Sequence, residues 1–220
     1  MLYFENVFTQ LNENSERTRN RSEVNTPMNC SSWVYSQYLK HNWVVVVEKS
    51  FFADSFNLYG IVSNDSVEQR ALQIILDENF ENNGEILEMA ERIFMQVHAR
   101  YIMSSNGLQA VRRKYESGVF GICPRFLCEG QHLLPYGSSP VPNVGKACGW
   151  CPKCNDVYRS DLDIDGAYFG PSFPHFFTQM LKDTVKTKPS KSSSFQYFGI
   201  ETEKNSDLIP KTIPHANEDI

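Results

Sequence analysis

Two cysteine pairs constrain what this chain can fold into more than any other feature. Cys123 and Cys128 sit in Cys-Pro-Arg-Phe-Leu-Cys, Cys151 and Cys154 sit in Cys-Pro-Lys-Cys, and the 22 residues 129 to 150 separate them. Each pair lies in a short turn that aims two sulfurs at one point. Two such turns close a tetrahedron of thiolates around a metal that prefers soft, four-coordinate ligation, most often zinc. The six cysteines also have the number for three disulfides. Four of them fall in paired knuckles, however, and Met1-Leu-Tyr-Phe-Glu-Asn-Val-Phe lacks the basic segment and long apolar run of a secretion signal. A reducing compartment, the cytosol or the nucleus, is therefore the expectation, and there metal is favoured over disulfides.

Cys148 complicates the assignment, because Cys148-Gly-Trp-Cys151 repeats the Cys-x-x-Cys spacing. The Pro-Lys insert between Cys151 and Cys154 suits a tight knuckle, whereas Trp150 is bulky where the chain must turn back on a metal. The expected ligands are therefore Cys123, Cys128, Cys151 and Cys154, with Cys148 and Cys30 as spare thiols and His132 a weak reserve. Four thiolates leave no position for water, so the expected Zn2+, one per chain, is structural and activates no nucleophile. Such a site contributes ~10–16 kcal/mol of apparent binding energy. Its loss is expected to unfold residues 121 to 169.

The rest of the chain divides around this centre. Residues 1–30 are expected to be a disordered leader, since 9 to 30 are rich in Asn, Glu, Ser, Thr and Arg and hold few apolar residues to offset the ordering entropy. Residues 31–118 read as a helical domain. Ser31-Ser32 can cap a first helix carrying Trp33, Tyr35, Tyr38 and Leu39. The run Trp43 to Val47 fits a buried strand or a helical core segment equally. Asp54 to Gly60 reads as a short turn or helix. Asp65-Ser-Val-Glu68 has the form of a capping box ahead of a helix to Leu76, with Leu72, Ile75, Leu76 and Val67 or Ala71 on its apolar stripe. Asp77 to Glu85 is an acidic, Asn-rich loop.

The clearest helix runs from Glu85 to Met103, with Ile86, Leu87, Ala90, Ile93, Phe94, Val97 and Tyr101 on one face. Asn106-Gly107 is expected to end it, and a shorter helix, Leu108 to Glu116, to stop at Gly118. His98 reads as an ordinary helix-surface or packed residue, and Arg112-Arg113-Lys114 as a solvated face. Past Gly118, frequent Gly and Pro and short apolar runs suit small β-strands, giving a ribbon domain over 119–176 that closes on an aromatic, turn-rich segment from Asp165 to His175. A tail, 177–220, carries one apolar island, Phe195-Gln-Tyr-Phe-Gly-Ile200, between polar stretches. The island either folds back on its own domain or docks in a partner. The fold class is thus α+β, helices first and then small strands held by metal.

Function classes narrow accordingly. The longest unbroken apolar run is five residues, against about 20 for a membrane span. A net charge of −5 disfavours a dedicated nucleic-acid binder, although a zinc-ribbon nucleic-acid-binding or transcription-associated factor is the alternative reading. No nucleophile with a base, no Gly-rich phosphate loop and no His-Glu metal motif stands out, so an enzyme is not expected.

Several segments together carry a family resemblance. Glu91-Arg-Ile-Phe-Met-Gln-Val-His-Ala-Arg-Tyr-Ile, Lys114-Tyr-Glu-Ser-Gly-Val-Phe-Gly-Ile-Cys-Pro-Arg, Cys151-Pro-Lys-Cys-Asn-Asp-Val-Tyr and Asp165-Gly-Ala-Tyr-Phe-Gly with Phe173-Pro-His resemble the regulatory (beta) subunit of protein kinase casein kinase II over roughly residues 31 to 200. The resemblance implies an all-helical N-terminal domain followed by a small antiparallel zinc ribbon and an extended C-terminal tail, in a subunit without activity of its own. Two copies join through their ribbons, and the tails engage two catalytic (alpha) subunits, stabilising the kinase and changing which protein substrates it accepts. It places Pro124, Phe126 and Val157 at the dimer interface and Phe195, Tyr197, Phe198 and Ile200 in kinase docking.

Three departures accompany the resemblance. An aromatic-Gly-aromatic motif in the family's tail reads Phe198-Gly199-Ile200 here, which predicts weaker docking. The loop 77–85 is shorter and less acidic than the family's. The leader is longer and lacks the family's acidic, serine-led N-terminus.

Overall fold

The computed structural model describes residues 29 to 78 and 83 to 185, together with the backbone pairing of 196–197 and 200–201. The expected leader and most of the tail lie outside these residues. Among the described residues seven α-helices precede or follow a small sheet: α1 (Ser32–Lys40), α2 (Lys49–Ala53), α3 (Ser55–Leu58), α4 (Ser66–Ile75), α5 (Gly84–Tyr101), α6 (Ser105–Glu116) and, after the sheet, α7 (Phe173–Met180).

Capping explains most helix starts. Ser31 Oγ accepts from the Val34 N–H at 3.1 Å, and Asp65 Oδ1 from the N–H groups of Val67 and Glu68. The expected capping box is altered: Glu68 reaches past Asp65 to the N–H and hydroxyl of Ser63, both at 2.6 Å, while Ser63 Oγ takes the Asp65 N–H. Asp77 does not belong to a free acidic loop. Its carboxylate accepts from the Ser32 N–H at 2.6 Å, the Ser32 hydroxyl at 2.9 Å and the Trp33 N–H at 3.2 Å, so it satisfies the start of α1 from 45 residues away. Residues 79–82 of that loop lie outside the described residues.

The break between α5 and α6 falls earlier than expected. Asn106 and Gly107 lie within the first turn of α6, whose cap is Ser104, and the chain bends at 102–104. Gly107 permits that bend, because a Cβ there would lie 2.0 Å from the Tyr101 carbonyl oxygen. The run Trp43 to Val47 is neither strand nor helix. It is irregular backbone with Trp43, Val44, Val45 and Val47 all buried.

His98 is what makes that irregular run tolerable. It is fully buried on α5; the Val45 N–H donates to Nε2 at 3.0 Å, and Nδ1–H donates to the Tyr168 carbonyl at 2.8 Å. Backbone groups that a sheet would have paired are thus paired by a side chain. Both roles require the neutral ring, and burial accordingly lowers the His98 pKa to about 4.

The sheet is antiparallel with order β1 (Leu134–Tyr136), β2 (Cys148–Trp150), β3 (Val157–Arg159), so each strand pairs with its sequence neighbour. The main core does not stop at residue 118. Leu134, Ala147, Trp150, Ile164, Ala167, Tyr168, Phe169, Phe173 and Phe177 join the helical core, and only Cys123, Cys128, Leu133 and Cys151 form a separate small cluster. The closing segment is more ordered than its turn-rich sequence suggests. It forms a 3-10 turn, Gly166–Tyr168, capped by Asp165, and then α7, which starts at Phe173-Pro174. Among the described residues no helix is long and apolar enough to cross a membrane.

Candidate metal centre

The knuckle turns have the same backbone device at the same place. The residue after the second cysteine of each pair, Glu129 (φ 52°) and Asn155 (φ 60°), adopts the left-handed conformation that turns the chain away from the sulfurs. In the first knuckle a 3-10 turn, Phe126–Cys128, leads into it. In the second, the Asn155 N–H donates to the Cys151 carbonyl at 2.9 Å, and the Cys151 N–H to the Asp156 carbonyl at 3.0 Å. Asn155 Oδ1 also accepts from Trp150 Nε1 at 3.1 Å, which ties the knuckle to β2.

The four sulfurs of Cys123, Cys128, Cys151 and Cys154 all lie within 4.8 Å of one another. Cys123 and Cys154 are 3.8 Å apart and Cys128 and Cys151 3.9 Å. A tetrahedron with metal–sulfur bonds of about 2.3 Å has edges of about 3.8 Å, so this donor set fits a four-coordinate soft cation. Cys148 stands apart. It faces outward on β2 with its thiol near the Lys146 carbonyl, and Cys30 and His132 are also outside the group; His132 Nδ1–H donates to the Tyr115 carbonyl at 2.8 Å.

Electrostatics point the same way. Burial pushes the Cys128 thiol up to about 11 and Cys151 well above the ordinary thiol range. Cys154 comes down to about 7 because, against burial, hydrogen bonds involving the Tyr158 hydroxyl and the Asp156 backbone favour its thiolate. Four sulfurs this close ionise together only when a cation neutralises them.

Two supporting residues escaped sequence reasoning. The Tyr158 hydroxyl lies 3.2 Å from Cys154 Sγ, and Lys153 Nζ bridges the knuckles by donating to the Cys128 carbonyl at 3.1 Å and to Glu129. The alternation Val157-Tyr158-Arg159 after the last ligand was the available signal, since period 2 turns Tyr158 to the side opposite its neighbours.

An apolar surface borders the centre. Phe126 is 93% exposed and Ile122 61%, and with the exposed Pro124 they line one hollow at the first knuckle; Val157, on β3, is 47% exposed. The described side chains end at Val185. Phe195 and Phe198 lie outside the described residues, as do the side chains of Tyr197 and Ile200, but the backbone of β4 (Gln196–Tyr197) pairs antiparallel with β5 (Ile200–Glu201), Tyr197 opposite Ile200.

The family profile for the casein kinase II regulatory subunit matches residues 31–201. This chain belongs to that family. Curated relatives agree: it is 32% identical over 175 residues to the Suppressor-of-stellate-like protein of Drosophila melanogaster, covering 78% of each. It is 35% identical over 173 residues to casein kinase II subunit beta′ of the same organism, covering 73% of this chain and 78% of the relative. Against casein kinase II subunit beta-3 of Arabidopsis thaliana it is 34% identical over 188 residues, covering 79% and 68% respectively. Family membership supports a regulatory subunit of casein kinase II over the nucleic-acid-binding alternative, and the family implies a catalytic kinase partner.

Proposed function

We propose that this chain is a non-catalytic regulatory subunit that binds one structural Zn2+ through Cys123, Cys128, Cys151 and Cys154. Two copies join through their ribbons and recruit two catalytic kinase subunits through the segment 195–200. The observation that carries the reading is the pairing of a closed four-thiolate centre with the exposed apolar surface of Pro124, Phe126 and Val157. When bound, zinc supplies cross-linking alone, with no position for water. The protein's own residues do the rest: the knuckles hold Phe126 outward where it cannot be buried within so small a ribbon, and a second copy removes it from water.

The docking segment is supported by the β4–β5 pairing, which leaves Phe198-Gly199 as a two-residue connection with Tyr197 and Ile200 opposed. Phe195, Tyr197, Phe198 and Ile200 are the anchors; with Ile200 aliphatic, the buried area and edge-to-face contacts are smaller than an aromatic there would give. Binding redirects the kinase among protein substrates and stabilises it, in cytoplasm and nucleus. The test is native mass spectrometry of the complex with the catalytic subunit, alongside the triple variant Tyr197→Ala, Phe198→Ala, Ile200→Ala. A complex of two regulatory and two catalytic chains, lost in the variant, is expected. Undiminished kinase binding by the variant removes the docking assignment.

A further inference from the structure

A groove of about 1030 Å³ lies between α1, the irregular segment before α2 and α6, and none of the roles above uses it. Its apolar lining includes Val45, Val46, Ala110 and Val119, and Tyr35 and Tyr38, also lining it, stack with ring centroids 5.9 Å apart. Its polar groups are largely committed. Glu48 accepts from Asn106 and Tyr101, while Lys114 donates to the Asn42 carbonyl and lies 4.7 Å over the Tyr38 ring. Arg113, exposed at the rim, makes no ion pair among the described residues.

Asn29 lines the same groove, its carbonyl fixed by the Lys49 N–H at 2.8 Å, so residues 1 to 28 join the folded body at the groove itself. The composition of that segment matches the cavity. Residues 1 to 11 hold Leu2, Tyr3, Phe4, Val7, Phe8 and Leu11, with Glu5 as their one charged side chain, and residues 12 to 28 are largely polar. Those 17 spacer residues can span up to about 55 Å, ample for the first eleven to return to the groove.

We propose that residues 1–11 of this chain dock in the groove in cis, with the aromatic and aliphatic side chains against the Tyr35–Tyr38 stack and the valine floor, and Glu5 opposite Arg113. Tethering at the rim supplies an effective concentration of order mM, so a weak intrinsic affinity is enough. The segment then competes with any peptide of similar chemistry for the groove.

A fluorescein-labelled peptide of residues 1–11, titrated by anisotropy against the metal-loaded protein with and without its own residues 1–11, tests this. The truncated protein is expected to bind the peptide at least tenfold more tightly than the full chain. Arg113→Glu, an exposed change that leaves the fold intact, should weaken binding to the truncated protein about tenfold, and a Glu5→Arg peptide should recover it. Equal binding by full chain and truncated protein overturns the proposal, as does preference for a peptide of residues 195–203. A block by the full chain that fades on dilution also overturns it, since the occupant would then be a second copy's segment.

Discussion

At the scale of single residues, the load falls on side chains that act far along the chain from where they stand. His98 joins Val45, 53 residues before it, to Tyr168, 70 after it, and does so only as a neutral ring. Its folded pKa, about 4, lies below the ordinary 6.5, so the unfolded chain takes up the proton first. Stability from this group is therefore complete above about pH 6.5 and lost as pH falls toward 4, by about 3 kcal/mol in total. Urea unfolding at successive pH values should show that slope in the native protein and a flatter one in His98→Gln, which keeps a donor and an acceptor but does not titrate. Asp77 is a second case. Asp77→Ala strips three hydrogen bonds from the start of α1 and should cost about 1–2 kcal/mol in the same assay. Helical periodicity placed His98 on α5, but nothing in the sequence names partners that far away; likewise Asp77 reads as one more acid in an acidic loop until the fold brings it under Ser32.

At the scale of elements, legibility follows how local the cause is. The stripe on α5, the Ser31 and Asp65 caps and the stop at Gly118 (φ 74°) all depend on residues within a turn or two, and the sequence shows them. The α5–α6 break does not, because Gly107 is there for close packing against Tyr101 and only resembles a helix stop. Gly107→Ala should cost 3 kcal/mol or more, roughly, since the opposing atom is backbone and has no rotamer to move to. A thermal melt with both helices otherwise intact is the measurement. The ribbon behaves in the opposite way: its ligand spacing is written in the sequence, apart from the second Cys-x-x-Cys that Cys148 offers, and the structure adds Tyr158 and Lys153 and changes the extent of what the metal holds. Ile164, Ala167, Tyr168 and Phe169 belong to the main core rather than to the cysteine cluster. Cys151→Ser should therefore release the metal and expose amides in 121–133 and 151–159, while 164–177 keeps its hydrogen-exchange protection; loss of protection through 169 would mean the metal holds the larger span.

At the scale of the whole molecule, the continuous core and the two small knuckles have different tasks. The helices, β1, β2, the 164–169 segment and α7 share one apolar interior, whereas the knuckles bury little beyond their own cysteines and Leu133. Their shape is set by sulfur geometry, which frees Phe126 from any packing duty. An aromatic ring 93% exposed between two ligands is then either a cost in solubility or half of an interface. Burying one such ring is worth about 1.5–3 kcal/mol, and in a symmetric pair each copy contributes the same surface. Phe126→Glu removes that gain and sets like charges against each other across the axis, without touching a metal ligand. The variant should keep its zinc, measured by metal analysis, and its helical signal, while the dimer dissociation constant from sedimentation rises by about 30-fold or more. A zinc-replete variant that still dimerises with native affinity would place the interface elsewhere on the ribbon, and a variant that loses zinc as well would mean that Phe126 supports the knuckle rather than the partner.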